Sequence, residues 1–344
     1  MSELKGIELD SVTAWLAANL AGSQAPYNFE LIAAGGSNLT YRVTDAKGGI
    51  FVLRRPPVKG VVATAHDMSR EWRIMDALNR HTDIPVPETL AYCEEASVTG
   101  ASFYVMEFVD GLILRDQTTT QGLTETQARR ATESLVDVQV AFHTLDIDKA
   151  GLGELGKRDD YLQRQLKRWH RQAEAVRTRE LPLLDQLHAA LVEGAPKSER
   201  CPGLAHGDYR FDNCVLDKRS GEVIAVLDWE LCTLGDPLVD FCWSLQYWAE
   251  PGERLTFLQN PPTLNSVFPD RAFVAQLYEH KSGYRLDDLN YYRAFGWWKM
   301  ACIVEGVYAR LKKGAGGGMK TAPVEQVGQM VEAYLEEARR SLGA

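Results

Sequence analysis

Hydrophobic and polar positions follow two spacings along the chain, one typical of β-strands and one typical of α-helices. A first amphipathic helix has an apolar stripe formed by Val12, Trp15, Leu16 and Leu20. After it, short runs rich in β-forming residues predict strands at 29–32, 39–44, 50–55, 89–93 and 102–109. Turn sequences at 35–36 and 45–49 separate the first three strands, so we predict an antiparallel meander.

Helical spacing appears between the third and fourth strands and dominates the chain from residue 112 onward. The helix predicted at 64–80 has an apolar stripe formed by Met68, Trp72, Met75 and Leu78. Further helices are predicted at 124–143, 160–177, 183–193, 237–248, 287–312 and 323–342. We therefore predict an α+β chain with a β-rich N-lobe at 1–106, a hinge at 107–111 and a mainly helical C-lobe at 112–344.

Composition narrows the class of protein. The net charge of −9 argues against a nucleic-acid partner, and no apolar run approaches the length of about 20 residues that spans a bilayer. The amino terminus has no secretory signal pattern, and the six cysteines are scattered without a C-x-x-C pair. We expect a cytoplasmic protein with free thiols and no membrane partner. The histidines lack zinc-site spacing.

The segment LAHGDYRFDNCVLDKRSGEVIAVLDWE, residues 204–230, combines two short apolar runs with polar clusters at their ends. The runs 214–216 and 223–227 predict a tight hairpin. Asp208 and Asn213 are five residues apart before the hairpin, and Asp228 follows it, which is the order found in kinase catalytic loops. Carboxylate and amide oxygens suit Mg²⁺, which takes its other ligands from phosphate and water. The alternative is a solvated acidic loop, but an unpaired Asp228 at the end of an apolar strand would be costly.

Two residues upstream carry complementary charges. Strand alternation places Arg54 on one face of its strand, and helical spacing places Glu71 within the apolar stripe of the following helix. Because a carboxylate in an apolar stripe needs a fixed cation, we predict an Arg54–Glu71 pair that holds the α- and β-phosphates of a nucleotide. By contrast, the glycine-rich run 314–321 only superficially resembles a P-loop, and we interpret it as a loop between helices.

The chain resembles the aminoglycoside phosphotransferase/choline kinase superfamily, the small-molecule relatives of the protein kinases. The resemblance runs from about Phe29 to the last helices, with HGDYRFDN and VLDWE as the specific signature. More narrowly, RQLKRWHRQ, VLDWELCTLGDPLVDFCW and EGVYAR resemble the kinase-like domain fused to some acyl-CoA dehydrogenases. The resemblance implies a bilobal, protein-kinase-like fold and an enzyme that uses ATP and Mg²⁺.

The resemblance also implies residue roles. Asp208 orients the acceptor hydroxyl or acts as base, Arg210 faces the γ-phosphate, and Asn213 and Asp228 bind magnesium. Nucleotide-binding roles fall on Ser37 and Asn38 in the turn over the phosphates, Arg54, Glu71, and Glu107, Phe108 and Val109 at the adenine. His206 supports the loop, and Asp240 braces it through backbone amides. We expect Arg54, Glu71, Asp208 and Asp228 to converge on one cleft between the lobes.

The acceptor is less constrained by the sequence. Arg164, Arg168 and Lys299 are basic residues near aromatic ones such as Trp169, which suits an anionic acceptor with an apolar part. The alternative is that the aromatic residues are core and the basic residues a solvated face. The subgroup resemblance implies a hydroxy acid or a hydroxyacyl-CoA as acceptor. An aminoglycoside- or choline-type acceptor, a regulatory pseudokinase, a metal-dependent hydrolase, GTP in place of ATP, and a homodimer remain open.

Overall fold

The structure is a computed structural model that describes residues 4–34, 38–58, 67–196, 200–253, 255–314 and 323–343. The chain divides into two compact units. The first contains Met1–Gly111, Asp148–Leu152 and Ile224–Leu231, and the second contains the remainder. The first break follows Gly111, the last residue of the predicted hinge. Asp148–Leu152 and Ile224–Leu231 lie within the predicted C-lobe in the sequence, but in the structure they group with the first unit.

The first unit has a five-stranded antiparallel sheet in the order β1-β2-β3-β5-β4. Its elements are α1 (Leu9–Asn19), β1 (Asn28–Ala34), β2 (Leu39–Thr44), β3 (Ile50–Arg55), α2 (Met68–His81), β4 (Thr89–Cys93), α3 (Ala96–Thr99) and β5 (Phe103–Glu107). The predicted meander of the first three strands is confirmed. Strand β5 is shorter than predicted, and the four-residue helix α3 was not predicted because one helical turn leaves no periodic pattern.

The sheet buries different side chains on its two faces. Residues such as Tyr41, Val43 and Leu53 join the core cluster that includes Val12 and Leu16 of α1. Alternation along β3 sends Arg54 away from this cluster, and the strand register places Arg54 opposite Tyr104 of β5. Helix α2 begins at Asp67, whose side chain accepts hydrogen bonds from the backbone N–H groups of residues 69 and 70.

The second unit is mainly helical. Its helices are α4 (Glu125–His143), α5 (Tyr161–Val176), α6 (Pro182–Glu193), α7 (Pro237–Gln246), α8 (Arg271–Ser282), α9 (Leu289–Lys312) and α10 (Val324–Leu342). Its short strands are β6 (Gly203–Ala205), β7 (Cys214–Leu216) and β9 (Thr233–Gly235), and β8 (Val223–Val226) begins in this unit. Strands β6 and β9 pair antiparallel. The predicted turn after β7 is confirmed, since the Asp217 N–H donates to the Glu222 carbonyl at 2.8 Å.

Several sequence predictions meet a direct check in this fold. All six cysteines are free thiols. Within the ranges that the structure describes, no helix is both long and apolar enough to cross a membrane. Most of the P-loop look-alike, residues 315–321, lies outside the described residues. Helix α8 and the β6–β9 pair were not predicted, because three-residue strands and a helix with only Val274 and Tyr278 buried produce little periodicity.

Candidate active site

A charged cluster in the first unit is centred on Arg54, which is 8% exposed. One guanidinium nitrogen lies 3.3 Å from the fully buried Glu71 carboxylate, and the other contacts the Asp228 carboxylate. Glu230 lies 3.9 Å from the same nitrogen. The predicted Arg54–Glu71 pair is therefore present, and Asp228 belongs to the same cluster within this unit.

The electrostatics of this cluster follow from its burial. Burial alone lowers the pKa of Arg54, but the carboxylates of Glu71 and Asp228 raise it above its ordinary value, so the guanidinium is a permanent cation. Burial raises the pKa of Glu230 to about 7, and the nearby Asp228 adds to this effect while Arg54 opposes it. Three carboxyl groups share one fixed cation here, and burial raises the pKa of Glu71 as well as that of Glu230. A further cation is therefore favoured electrostatically at this cluster.

Asp228 has a backbone conformation that few non-glycine residues adopt, with φ of +65°. Such strain persists where the surrounding structure holds a side chain in a required position. The Asp228 side chain is 30% exposed while its partner Arg54 is buried. A carboxylate oxygen accessible to solvent is a suitable ligand for Mg²⁺, so the donor chemistry fits the predicted metal role. Among the described residues, no group of three or more His, Cys, Asp or Glu residues forms a metal site made of protein ligands alone.

Asn38 connects the start of β2 to this cluster. Its side-chain amide donates to Glu230 Oε2 at 2.9 Å, and Asn38 is 5% exposed. The sequence predicted Asn38 near the phosphates, but it did not identify Glu230 as its partner, because the two residues are 192 positions apart. The other predicted turn residue, Ser37, lies outside the described residues.

The predicted adenine-binding segment follows β5. The Glu107 backbone N–H already donates to the Glu88 carbonyl at 2.9 Å, so it is unavailable to a base. The backbone hydrogen bonds of Glu107, Phe108 and Val109 to an adenine stay a prediction. Phe108 is half-buried, and the Arg42 guanidinium lies 5.2 Å from the centre of its ring.

In the second unit, both carboxylate oxygens of Asp208 are engaged. The Tyr247 hydroxyl donates to Asp208 Oδ1 at 2.8 Å, and the Asn213 amide nitrogen donates to Asp208 Oδ2 at 3.1 Å. Because the nitrogen of Asn213 is used in this way, its amide oxygen is the atom left to act as a ligand. Asp208 and Asn213 thus form one hydrogen-bonded unit, a contact that the sequence analysis did not predict.

The loop that carries Asp208 is held by Asp240 on α7. Asp240 accepts hydrogen bonds from the backbone N–H groups of His206 at 3.0 Å and Gly207 at 2.8 Å, and the ring of His143 lies 3.1 Å away. Burial would raise the pKa of Asp240, but these partners hold it below its ordinary value. His206 is fully buried, and its Nδ1 accepts from the Asp208 N–H at 3.2 Å. The amide contacts of Asp240 are those that the family resemblance implies, whereas the sequence predicted no specific partner for His206.

Arg210 occupies a carboxylate environment. Its Nε lies 2.8 Å from Asp212 and 3.4 Å from Asp208, and its guanidinium lies 4.8 Å from the ring centre of Tyr247. Burial raises the pKa of Asp212, and Arg210 opposes that shift. The contact between Arg210 and a γ-phosphate stays a prediction.

The predicted acceptor residues separate into two groups. Lys299 of α9 is half-buried, with its ammonium 3.6 Å from the ring centre of Trp243 and 5.6 Å from that of Trp169. Arg168 is exposed, with its guanidinium 5.4 Å from the Trp169 ring. Arg164 instead donates to the Lys157 carbonyl at 2.7 Å, which ties it to its own loop.

Sequence reasoning missed three residues that the fold brings to this region. Tyr247, Trp243 and His143 contact Asp208, Lys299 and Asp240, respectively. The spacing of Asp240, Trp243 and Tyr247, at intervals of three and four, was a usable signal for two of them, because it places all three on one face of α7. His143 ends a helix that was predicted correctly, but nothing in the sequence indicates its partner.

Comparisons with known proteins agree with this architecture. The family model described as "Phosphotransferase enzyme family" matches residues 28–265. A crystal structure from Ralstonia eutropha that carries the name of an aminoglycoside phosphotransferase is 32% identical, with a TM-score of 0.79 over 96% of this chain and 98% of that one. The fold and the family match together define a phosphotransferase with a protein-kinase-like α+β fold. The chain belongs to the phosphotransferase enzyme family.

Curated relatives include much longer proteins. Acyl-CoA dehydrogenase family member 10 of Mus musculus is 33% identical over 88% of this chain and 28% of its own length. Family member 11 of Homo sapiens is 33% identical over 87% of this chain and 39% of its own length. The chain therefore spans well under half of these relatives, in agreement with the predicted resemblance to their kinase-like domain.

More distant solved structures share the fold. Choline kinase from Cryptosporidium parvum is 13% identical with a TM-score of 0.65, covering 97% of this chain and 96% of its own. A spectinomycin phosphotransferase solved with ADP and spectinomycin is 10% identical with a TM-score of 0.61, covering 98% of this chain and 99% of its own. The predicted fold class is thus confirmed.

Proposed function

We propose that the protein is an ATP- and Mg²⁺-dependent kinase that transfers the γ-phosphoryl group to a hydroxyl of a hydroxy acid or hydroxyacyl-CoA. The observation that carries this proposal is the state of Asp208, whose two carboxylate oxygens are oriented by Tyr247 and Asn213 in a loop held by Asp240. A carboxylate fixed in this way suits the orientation of an acceptor hydroxyl. Asn213 and Asp228 would hold Mg²⁺, which neutralises phosphate charge when bound.

In the proposed mechanism, the acceptor hydroxyl donates a hydrogen bond to Asp208. The hydroxyl oxygen forms a bond to the γ-phosphorus, the bond between that phosphorus and the β,γ-bridging oxygen breaks, and ADP leaves with the electron pair. The hydroxyl proton passes to Asp208 late in the step and then to solvent. Arg54, fixed by Glu71, binds the nucleotide phosphates, and the loose transition state leaves the protein mainly to position groups and neutralise charge.

The relatives support the choice of acceptor only by association. Their names refer to acyl-CoA dehydrogenases, and a kinase acting on a hydroxyacyl thioester would convert a poor leaving group into a good one for a later elimination. The solved structures instead carry the names of aminoglycoside and choline enzymes. The cytoplasmic location and the homodimer remain predictions.

The test is a phosphorylation assay with defined acceptors. The protein is mixed with Mg-ATP and, separately, 3-hydroxybutyrate, 3-hydroxybutyryl-CoA, choline and kanamycin, and each product is examined by mass spectrometry. We expect one phosphoryl group to be added to a hydroxy acid or its thioester and none by Asp208→Asn. Turnover of only choline or kanamycin would refute the acceptor, and full activity of Asp208→Asn would refute the site.

A further inference from the structure

Lys299 lies between two indole rings in the second unit. Its ammonium is 3.6 Å from the ring centre of Trp243 on α7 and 5.6 Å from that of Trp169 on α5. Trp243 is 6% exposed and belongs to the core, while Trp169 is half-buried. Two aromatic faces stabilise the ammonium by cation–π interaction while removing much of its water.

No carboxylate among the described residues forms an ion pair with this ammonium. Across the part of the chain that the structure describes, no ion pair or hydrogen bond involves Lys299. Asp208 and Asp240 are within electrostatic range, but both are already engaged, by Tyr247 and Asn213 in one case and by backbone amides in the other. Burial lowers the pKa of Lys299 to about 8. A largely desolvated cation without a counter-ion is a ready-made binding group for an anion.

Lys299 is connected to Asp208 through residues at one face of α7. Asp240 and Trp243 lie on α7 and Tyr247 caps its C-terminus, so at intervals of three and four residues the three share a face. Trp243 contacts Lys299, and its ring centre is 5.9 Å from that of Tyr247, which donates to Asp208. Residues on one helix face therefore contact the loop of Asp208, the Asp208 carboxylate itself and the ammonium of Lys299.

Helix α5, which carries Trp169, adds exposed residues with the same positive charge as Lys299. Lys167, Arg168 and Arg171 of α5 are exposed, and none of them forms an ion pair or hydrogen bond among the described residues. A cationic acceptor would be repelled both by these three residues and by Lys299.

We propose that Lys299 is the specificity-determining residue of the acceptor site, binding an anionic group of the acceptor and excluding cationic acceptors such as amino sugars and choline. This inference rests on the proposed function, because it assumes that the acceptor hydroxyl faces Asp208. The anionic group is a carboxylate or a phosphate. The free hydroxy acid supplies the first, and a CoA thioester, which has lost that carboxylate, supplies the second.

The experiment compares acceptor kinetics and direct binding in Lys299→Met, Lys299→Arg and Lys281→Met. Lys281 is the matched control, since it pairs with Asp137 at the end of α8 and has no place in the site. We expect Lys299→Met to raise the acceptor KM by 10- to 100-fold while kcat and the KM for Mg-ATP change less than threefold. Lys299→Arg should recover part of the loss, and Lys281→Met should match the wild type.

The arms of the experiment separate the possible failures. A loss confined to 3-hydroxybutyrate identifies a carboxylate at Lys299, and a loss confined to 3-hydroxybutyryl-CoA identifies a phosphate. An unchanged acceptor KM in Lys299→Met overturns the inference and leaves the proposed function standing. If Lys299→Met does not fold, as judged by Mg-ADP binding, Trp169→Ala replaces it, and an unchanged acceptor KM there has the same meaning.

If the wild type phosphorylates none of the four acceptors, the proposed function fails, and calorimetric binding of the two anionic compounds then decides the role of Lys299. Binding that Lys299→Met abolishes supports the anion site. Absence of binding to the wild type overturns it. In the separate case in which the wild type phosphorylates only choline or kanamycin, the inference is overturned as well.

Discussion

The Asp240 carboxylate offers a direct measure of how strongly the loop that carries Asp208 is held. In Asp240→Asn, one of the two oxygens becomes an amide nitrogen that cannot accept a hydrogen bond. With the amide oxygen facing Gly207, the backbone N–H of His206 loses its acceptor, and with the opposite orientation the N–H of Gly207 does. Asp240 is 2% exposed, so water cannot easily replace the lost partner.

The magnitude follows from these contacts. One buried N–H without an acceptor costs about 1–3 kcal/mol, and replacing charge-assisted bonds by neutral ones costs about 1 kcal/mol more. We therefore expect Asp240→Asn to lower the free energy of unfolding by about 2–4 kcal/mol. Urea denaturation at neutral pH measures this loss. The control is Asp137→Asn at an exposed ion pair, where about 0–1 kcal/mol is expected.

The same contacts give a pH dependence with a definite sign. The pKa of Asp240 is lower in the folded state than in the unfolded chain, so its contribution is present above the unfolded value and is lost as pH falls through the folded value. The difference in stability between wild type and Asp240→Asn should therefore shrink in acid. A loss below about 1 kcal/mol at neutral pH, or a difference that grows on acidification, would refute this reasoning.

Three further predictions address other parts of the site. Glu71→Gln removes one of the carboxylates that neutralise the buried Arg54, while Asp228 remains in contact with it. We therefore expect a loss of about 1–3 kcal/mol in unfolding free energy together with weaker Mg-ATP binding by calorimetry; unchanged nucleotide affinity would contradict the predicted phosphate contact. Tyr247→Phe removes one hydrogen-bond donor to Asp208, and a hydrogen bond to a charged group contributes about 1.5–3 kcal/mol. We therefore expect kcat to fall by about tenfold with little change in the KM for Mg-ATP. An equal effect of Tyr284→Phe, outside the site, would count against this role of Tyr247. The KM for an anionic acceptor should be constant below pH 7 and rise above about pH 8 as Lys299 loses its proton. The charged groups around Lys299 are Asp208, Asp240 and Arg168. A pH-independent KM in the wild type, or the same rise in Lys299→Met, would argue against Lys299 as the anion-binding group.

The sequence by itself determined the local parts of the protein. Most strands and helices were predicted within a few residues, because their hydrophobic periodicity is written into consecutive positions. The spacing of Asp208 and Asn213 in one loop could be read from the sequence, but the hydrogen bond between them was not predicted. The Arg54–Glu71 pair was predictable as well, because a carboxylate in an apolar stripe requires a cation and the neighbouring strand supplies one.

Only the tertiary structure decided which distant residues complete each group. The partners Tyr247 for Asp208, Glu230 for Asn38 and His143 for Asp240 lie 39 to 192 positions away in the sequence. Local spacing carries no information about such pairs, because their proximity is created by the packing of whole elements. The same reason explains the missed β6–β9 pair, whose three-residue strands gain their hydrogen bonds only from each other. It also explains why the sequence does not show the environment of Lys299, whose contacts with Trp169 and Trp243 come from two other helices.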